Sequence, residues 1–387
     1  MKCLKAFVYF VFLFFGVQAC KKQLHLDTNL SSQASIKIGE VGSMTGSEAT
    51  FGISTHQGIL LALDEINHTG GIGGRKLELI TLDDQGKSSE AVLAITKLIS
   101  QDKVHAILGE VASSLSLAMA PIAQQHQVPM ISPSSINSRL TAQGDYIFRV
   151  CFMDFFQSKI MANFARYTLD AQSVAILRDI KSDYSGDSAK IFSDFFSRAG
   201  GKIVLHQTYS AGDIDFKSQL TAIRALNPDL IFVPGYYTEA ALIARQRREL
   251  GIKAPLLGGD GWDSPKLKEI GGSDLDGSYF VGHFSADDPS ELVQKFISGY
   301  KSKFGGISPD GLAALGYDAA LLLGDALRRS KPPGFLDLRE AITHTREFRG
   351  ATGKITFGAD RNAVKSAFIF RLTNGGNSKL AVRMDPG

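Results

Sequence analysis

Cysteine is scarce in this chain. Of 387 residues three are cysteine, Cys3, Cys20 and Cys151. Cys3 falls within a basic and then apolar leader and Cys20 directly follows it, so Cys151 is the one thiol left for a folded core. No intramolecular disulfide is then available, and no thiol pair can hold a structural zinc. Eight histidines stand scattered without metal-ligand spacing. An excess of charge is missing too: 42 lysines and arginines oppose 39 acids, and two of those lysines, Lys2 and Lys5, belong to the leader. A chain this near neutrality has no electrostatic footprint for nucleic acid. Signatures of catalysis are also lacking. Residues 42–46 carry Met44 where a nucleophile-elbow serine would stand, and Ser100 to Lys103 and Ser298 to Lys301 match S-x-x-K without its S-D-N or K-T-G partners. The glycines of 70–74 do not spell G-x-G-x-x-G and precede a strand, which suits a turn and helix stop rather than a dinucleotide loop. These residues describe no enzyme and require no cofactor or metal.

What is present begins with an address. Lys2 and Lys5 precede an apolar run over 6–15, and Val17, Gln18 and Ala19 lead to Cys20. A basic start, a short apolar stretch and a small residue before the cut make a secretory signal over 1–19. With a cysteine directly after the cut, the segment resembles a bacterial lipoprotein signal, which implies acylation of Cys20 and a place in the cell envelope, periplasmic or extracytoplasmic and lipid-anchored. The apolar run is well short of the ~20 residues that a spanning helix needs, which disfavours an uncleaved membrane anchor. Residues 20–35 are polar and aperiodic and read as a tether.

The remaining chain, about 350 residues in a sequence that is 44% hydrophobic, exceeds a single core and suggests two. Residues 36–41 alternate at strand period, and Leu77, Leu79, Ile80 and Leu82 form a denser apolar run. With the helix between them they make a βαβ unit. The loop over 42–52 therefore leaves the carboxyl end of a strand and enters a helix, where open α/β sheets bind ligands. That places Ser43, Thr45, Gly46, Ser47 and Phe51 at a candidate site. The alternation continues with helix 88–102, strand 104–109, helix 114–126 and strand 128–132. A second array follows, with helices at 157–169, 186–199, 216–226 and 238–250 and strands at 173–178, 202–207, 229–233 and 255–258. Two such arrays predict two doubly wound, Rossmann-like α/β lobes. A strand at 278–283, helices at 289–304, 310–329 and 336–346, and a β-rich tail over 353–383 remain to be housed.

The opening segment carries G-x-x-T-G at 42–46, an aromatic-Gly pair at Phe51, a helix ending in D-x-I-N at 64–67, G-G-I-x-G at 70–74 and a strand ending in Asp83 and Asp84. This order resembles the leucine/isoleucine/valine-binding family of ABC-importer substrate-binding proteins, over nearly all of 36–383. The resemblance implies two lobes, 36–151 plus 285–364 and 152–284 plus 365–387, joined by a three-strand hinge around a ligand cleft. Its crossings would fall near 150–154, 282–286 and 362–367. The loop-to-strand disulfide of better-known members is absent, since Ala112 and the neighbourhood of Gly86 stand in its place.

A free amino acid offers a carboxylate, an ammonium and a side chain. Glu110 to Ser114 follow a strand and enter a helix, so the amides there and the Ser113 hydroxyl can hold a carboxylate, although serine also serves as a plain N-cap. In the segment 132–137 the resemblance gives Ser134 a carbonyl role toward the ammonium. It also puts Ile136 where a hydroxyl residue is usual, leaving open whether its backbone N–H suffices or whether Ser135 or Asn137 substitutes. At least one of the adjacent pair Tyr236 and Tyr237 reads better as a core-edge residue, and family position favours Tyr184 and Tyr236 as caps from the second lobe. Asp260, between Gly259 and Gly261, would face the cleft as partner to the ammonium. The alternative there is a turn, with Trp262 as a core plug. Phe51 and Leu312 would form an apolar wall. The expected function is a lipid-anchored monomeric receptor that binds a free amino acid, branched-chain or otherwise aliphatic, and delivers it to ABC permease membrane subunits. A sensor component of a signalling system, or a receptor for a short amide or urea-like solute, is the alternative.

Overall fold

The inner parallel strands of this molecule are short apolar segments buried on both faces, and most are followed by a helix that covers the sheet. The computed structural model describes residues 34–331 and 335–385. The signal expected over 1–19, the lipidation expected at Cys20 and nearly all of the expected tether lie outside the described residues. The first sheet runs in the order β2-β1-β3-β4-β5, with β1 (Ile36–Gly42), β2 (Leu77–Asp83), β3 (Ala106–Leu108), β4 (Met130–Ser132) and β5 (Ile147–Arg149), all parallel. Helices α1 (Ala49–His68), α2 (Ser88–Lys97) and α3 (Ser113–Gln125) connect them. Then α4 (Asp154–Asn163) opens the second lobe. Its sheet takes β6 (Ser173–Asp179), β7 (Lys202–Tyr209), β8 (Leu230–Val233), β9 (Leu256–Gly258) and β10 (Tyr279–Gly282), interleaved with α5 (Asp183–Arg198), α6 (Lys217–Leu226), α7 (Tyr237–Glu249) and α8 (Pro265–Gly271).

After β10 the chain returns to the first lobe with α9 (Glu291–Lys303), α10 (Gly311–Arg329), α11 (Leu338–Thr343) and the hairpin β11 (Phe348–Gly350) and β12 (Gly353–Ile355). It ends in the second sheet as the antiparallel strands β13 (Ala367–Thr373) and β14 (Asn377–Met384). Two α/β lobes are thus crossed three times, as the resemblance implied. Three passages constrain the relative motion of the lobes more tightly than one linker does.

The first lobe is held by α1 against α10. Gly58 and Gly316 make this possible: a Cβ at Gly58 would enter the Ala313 carbonyl, and one at Gly316 the Thr55 carbonyl. Close helix approach puts Phe51 and Leu312, from the starts of the two helices, on one wall. Several elements differ from the sequence reading. The dense apolar run of 77–82 is an edge strand with only Leu77 buried, since it ends the sheet and pairs only with β1 among the described residues. β5 was not anticipated; its three residues are too few to show a period. Helix α5 starts at Asp183 rather than 186, since the Ser182 hydroxyl accepts from the Ser185 N–H and caps it there. Tyr184 therefore stands in the first turn of a helix and not in the loop before it. Among the described residues no helix is long and apolar enough to cross a membrane.

Candidate ligand-binding site between the lobes

The carboxyl ends of the two sheets face each other, and the lobes are drawn together. Tyr237 donates to the Ser47 carbonyl at 2.7 Å, Thr50 and Ser264 share a hydrogen bond of 3.0 Å, and Ser114 donates to Asp183 at 2.8 Å. Between them lies a small cavity. Phe51, Val111, Ala112, Ser113, Ser134 and Leu312 line it from the first lobe, and Tyr184, Tyr236, Asp260 and Gly261 from the second. Most candidates from distant parts of the sequence meet here. Ile136 does not: its side chain is buried in the core and does not line the cavity.

The loop after β3 presents donors. Ala112 is the N-cap of α3 and carries no capping side chain, so Ser113 is the first helical residue and not the cap. First-turn amides of such a helix are left for an outside acceptor. The Ser113 hydroxyl accepts weakly from the Asn137 N–H at 3.4 Å, which leaves its own proton available. The two substitutes considered for Ile136 are occupied. Ser135 donates to the Val111 carbonyl at 2.8 Å, and the Asn137 amide donates to Asp187 of the second lobe at 2.8 Å.

Of the opening-loop residues only Phe51 lines the cavity. Ser43 and Thr45 are anchors instead: Thr45 donates to Asp83 at 2.7 Å and Ser43 to Asp84 at 2.8 Å. The Ser43 hydroxyl also lies 3.3 Å from Glu110, whose carboxylate accepts from the Ser43 and Ala112 amides. Burial, followed by the charge of Asp84, drives Glu110 well above the usual carboxylate range. Burial raises Asp84 as well. The pair braces the loop after β3 from behind. Glu48, just before α1, is pushed up to about 8 by burial and by Glu239 of the second lobe.

The second lobe supplies the acid. Asp260 is 4% exposed, its N–H donates to Gln157 at 3.0 Å, and its Oδ2 is 2.9 Å from His283 Nε2. Among the described residues its Oδ1 is buried without a hydrogen-bond partner. The flanking glycines allow this approach: a Cβ at Gly259 would enter the Tyr184 hydroxyl, and one at Gly261 would come within 2.8 Å of the Tyr236 ring. Tyr184 and Tyr236 stack with centroids 5.4 Å apart, and Phe51 meets Tyr236 edge-on at 5.4 Å. Burial and the Asp260 charge push the Tyr184 phenol well above its ordinary value. Trp262 is a core plug: fully buried, it donates to the Val233 carbonyl at 3.1 Å and lies outside the cavity lining. His283 is the residue the sequence reading passed over. The one signal for it was an ionisable side chain next to the apolar run of 279–282.

A family model described as periplasmic binding protein matches residues 35–377. The leucine-binding protein LivK of Thermotoga maritima is similar in structure, with a TM-score of 0.86 and 38% identity over 91% of this chain and 99% of that one. The branched-chain amino acid transporter substrate-binding protein LivJ of Streptococcus pneumoniae, solved with isoleucine, has a TM-score of 0.83 and 35% identity over 90% of this chain and 99% of its own. An ABC-transporter solute-binding protein of Rhodopseudomonas palustris BisB5, solved with 3,4-dihydroxybenzoic acid, has a TM-score of 0.80 and 27% identity over 91% of this chain and 98% of its own. Two α/β lobes crossed three times, a cavity between their sheet ends and these likenesses place the chain in the periplasmic binding protein family, among the substrate-binding proteins of ABC transporters related to the leucine/isoleucine/valine-binding proteins.

Proposed function

We propose that the chain is an extracytoplasmic receptor, lipid-anchored through Cys20, that encloses a free aliphatic amino acid between its lobes and delivers it to an ABC permease. The observation that carries this reading is the buried Asp260 Oδ1, without a partner among the described residues, in a cavity whose opposite wall is the uncapped start of α3. An ammonium satisfies the first and a carboxylate the second. In this reading Ser113 and the amides about it take the carboxylate, the Ser134 carbonyl and Asp260 take the ammonium, and Tyr184 and Tyr236 cover the polar end. Phe51 and Leu312 bound the side chain; neither offers a hydroxyl, which favours an apolar one. Ile136 contributes at most its backbone, behind the lining. The lobes, taken as 36–151 plus 285–364 and 152–284 plus 365–387, close by rotating about their crossings.

A benzoate has a carboxylate and no ammonium, so it would leave Asp260 with a buried charge and no partner. A thermal-shift screen separates these ligands. Leucine, isoleucine or valine at about 100 times its Kd is expected to add about 2.7 kcal/mol of stability. A shift with benzoates, short amides or urea and none with any amino acid would reject the reading. Labelled-leucine uptake in a deletion strain then distinguishes delivery from sensing. The anchor is tested by fractionation: the wild type is expected with membranes and Cys20→Ala as a soluble or unprocessed product, and a wholly soluble wild type would reject lipidation.

A further inference from the structure

Asp260 does not stand alone on the second lobe. Its Oδ2 meets His283 Nε2 at 2.9 Å, and His283 lies just beyond β10, where the chain starts back to the first lobe. The imidazole is 1% exposed and stacks on Phe152, a residue of the first crossing, with ring centroids 3.7 Å apart and planes at 25°. Two crossings thus clamp the ring, and the ring holds the carboxylate. Its other nitrogen, Nδ1, is buried without a partner among the described residues.

We propose that neutral His283 is the positioning residue for Asp260: it donates from Nε2 to one carboxylate oxygen, leaves the other aimed at the ligand ammonium, and abolishes that site when it takes a second proton. The inference rests on the reading that Asp260 receives an ammonium. Chemistry decides the tautomer. A nitrogen facing a carboxylate oxygen carries the proton, and Nδ1 then holds only a lone pair, which buries more cheaply than an unsatisfied N–H. A proton added at Nδ1 would be a buried donor without an acceptor. Burial accordingly keeps the imidazole below its ordinary value, although Asp260 pulls it up; Lys365 on the third crossing adds to the lowering. The nearby Cys151 thiol, pushed up to about 12 by burial, stays neutral.

With His283 neutral, the Asp260 charge is free for the ligand. Once protonated, His283 forms an internal ion pair with Asp260, and an arriving ammonium finds no net charge to offset its desolvation. The bound state therefore holds His283 unprotonated, and affinity falls as pH drops through the ligand-free pKa of His283, approaching tenfold per pH unit.

The test is calorimetry with L-leucine from about pH 8 to about pH 4.5, spanning the ordinary histidine range, on wild type, His283→Gln and His283→Ala. Alanine is expected to lose about ten- to a hundredfold near neutrality, as for a hydrogen bond to a charged group. Glutamine, whose Nε2 can donate in the same place and cannot titrate, is expected to recover most of that loss and to flatten the acid limb. Glu48, Tyr184 and the Asp84–Glu110 pair remain in every variant, so the difference isolates His283. Superimposable pH profiles for wild type and His283→Gln, or alanine binding as tightly as glutamine, would overturn the proposal while leaving Asp260 as the ammonium partner. Long-range proton–nitrogen NMR on the ligand-free protein supplies the arm that needs no ligand. His283 is expected as the neutral Nε2–H form at neutral pH, with its titration moved by Asp260→Asn. A charged ring at neutral pH overturns the pairing, whereas a correct tautomer in a protein that takes no leucine overturns only the ligand reading.

Discussion

Replacing Asp260 by alanine is expected to weaken amino-acid binding by roughly 30-fold to several thousand-fold. Truncating one partner of a desolvated charge pair costs about 2 to 5 kcal/mol, and each 1.4 kcal/mol is about tenfold. The geometry favours the upper part of that range. Asp260 is 4% exposed, its Oδ1 has no partner among the described residues, and solvent does not screen it. Asp260→Asn retains the shape and one hydrogen-bond acceptor but loses the charge, so it is expected between alanine and wild type. Were the residue only a turn former, asparagine would bind as well as aspartate, since both serve turns. Calorimetry with leucine on the three proteins, each confirmed as folded by its melting curve, separates these outcomes. Wild-type affinity in a folded Asp260→Ala protein would reject the ammonium partnership.

The largest expected effect on stability lies at the crossings. Asp318 on α10 is fully buried and accepts from the Ala351 N–H at 2.6 Å, the Thr352 N–H at 2.9 Å and the Thr352 hydroxyl. That hydroxyl accepts in turn from Lys365, whose ammonium also donates to the Val150 carbonyl at 3.2 Å. The network ties the first crossing to the third. Asp318→Ala would leave three donors unsatisfied and a buried ammonium without its counter-charge, a loss of about 3–5 kcal/mol. Whole proteins have only about 5–15 kcal/mol to lose. Urea unfolding is expected to show a lower midpoint at unchanged slope; a loss below about 1 kcal/mol would mean that water replaces the carboxylate.

A pH signature accompanies this network. Burial depresses Lys365 to about 8, with Asp318 acting against the shift. An unfolded lysine titrates near ~10.4, so between the two values the unfolded chain binds the proton more tightly and stability rises with pH. Lys365→Met removes that slope.

Much of this protein was legible in its sequence. The α/β alternation, the two arrays and the family order of the first fifty folded residues carry strong periodic and turn signals, and periodicity is local information. Asp260 was legible for a related reason: a carboxylate between glycines beyond a strand marks a close backbone approach. Exposure was less so. The apolar run of 77–82 does not reveal that its sheet ends there, and Ser43 and Thr45 look like ligand donors until Asp83 and Asp84 are seen to take them.

By itself the sequence determined most of the segments that are strands and helices, the three-residue β5 excepted, and which strand ends carry polar groups, because backbone periodicity and turn chemistry are written in neighbouring residues. Only the tertiary structure decided how those groups divide their hydrogen bonds. Asn137 faces Asp187, Ser135 faces the Val111 carbonyl, and His283 faces Asp260 from 23 residues away. The His283 pairing satisfies one oxygen of Asp260 and leaves the other without a partner among the described residues. Burial permits few free polar atoms, so the one left on Asp260 is a property of the packed molecule and of no segment within it.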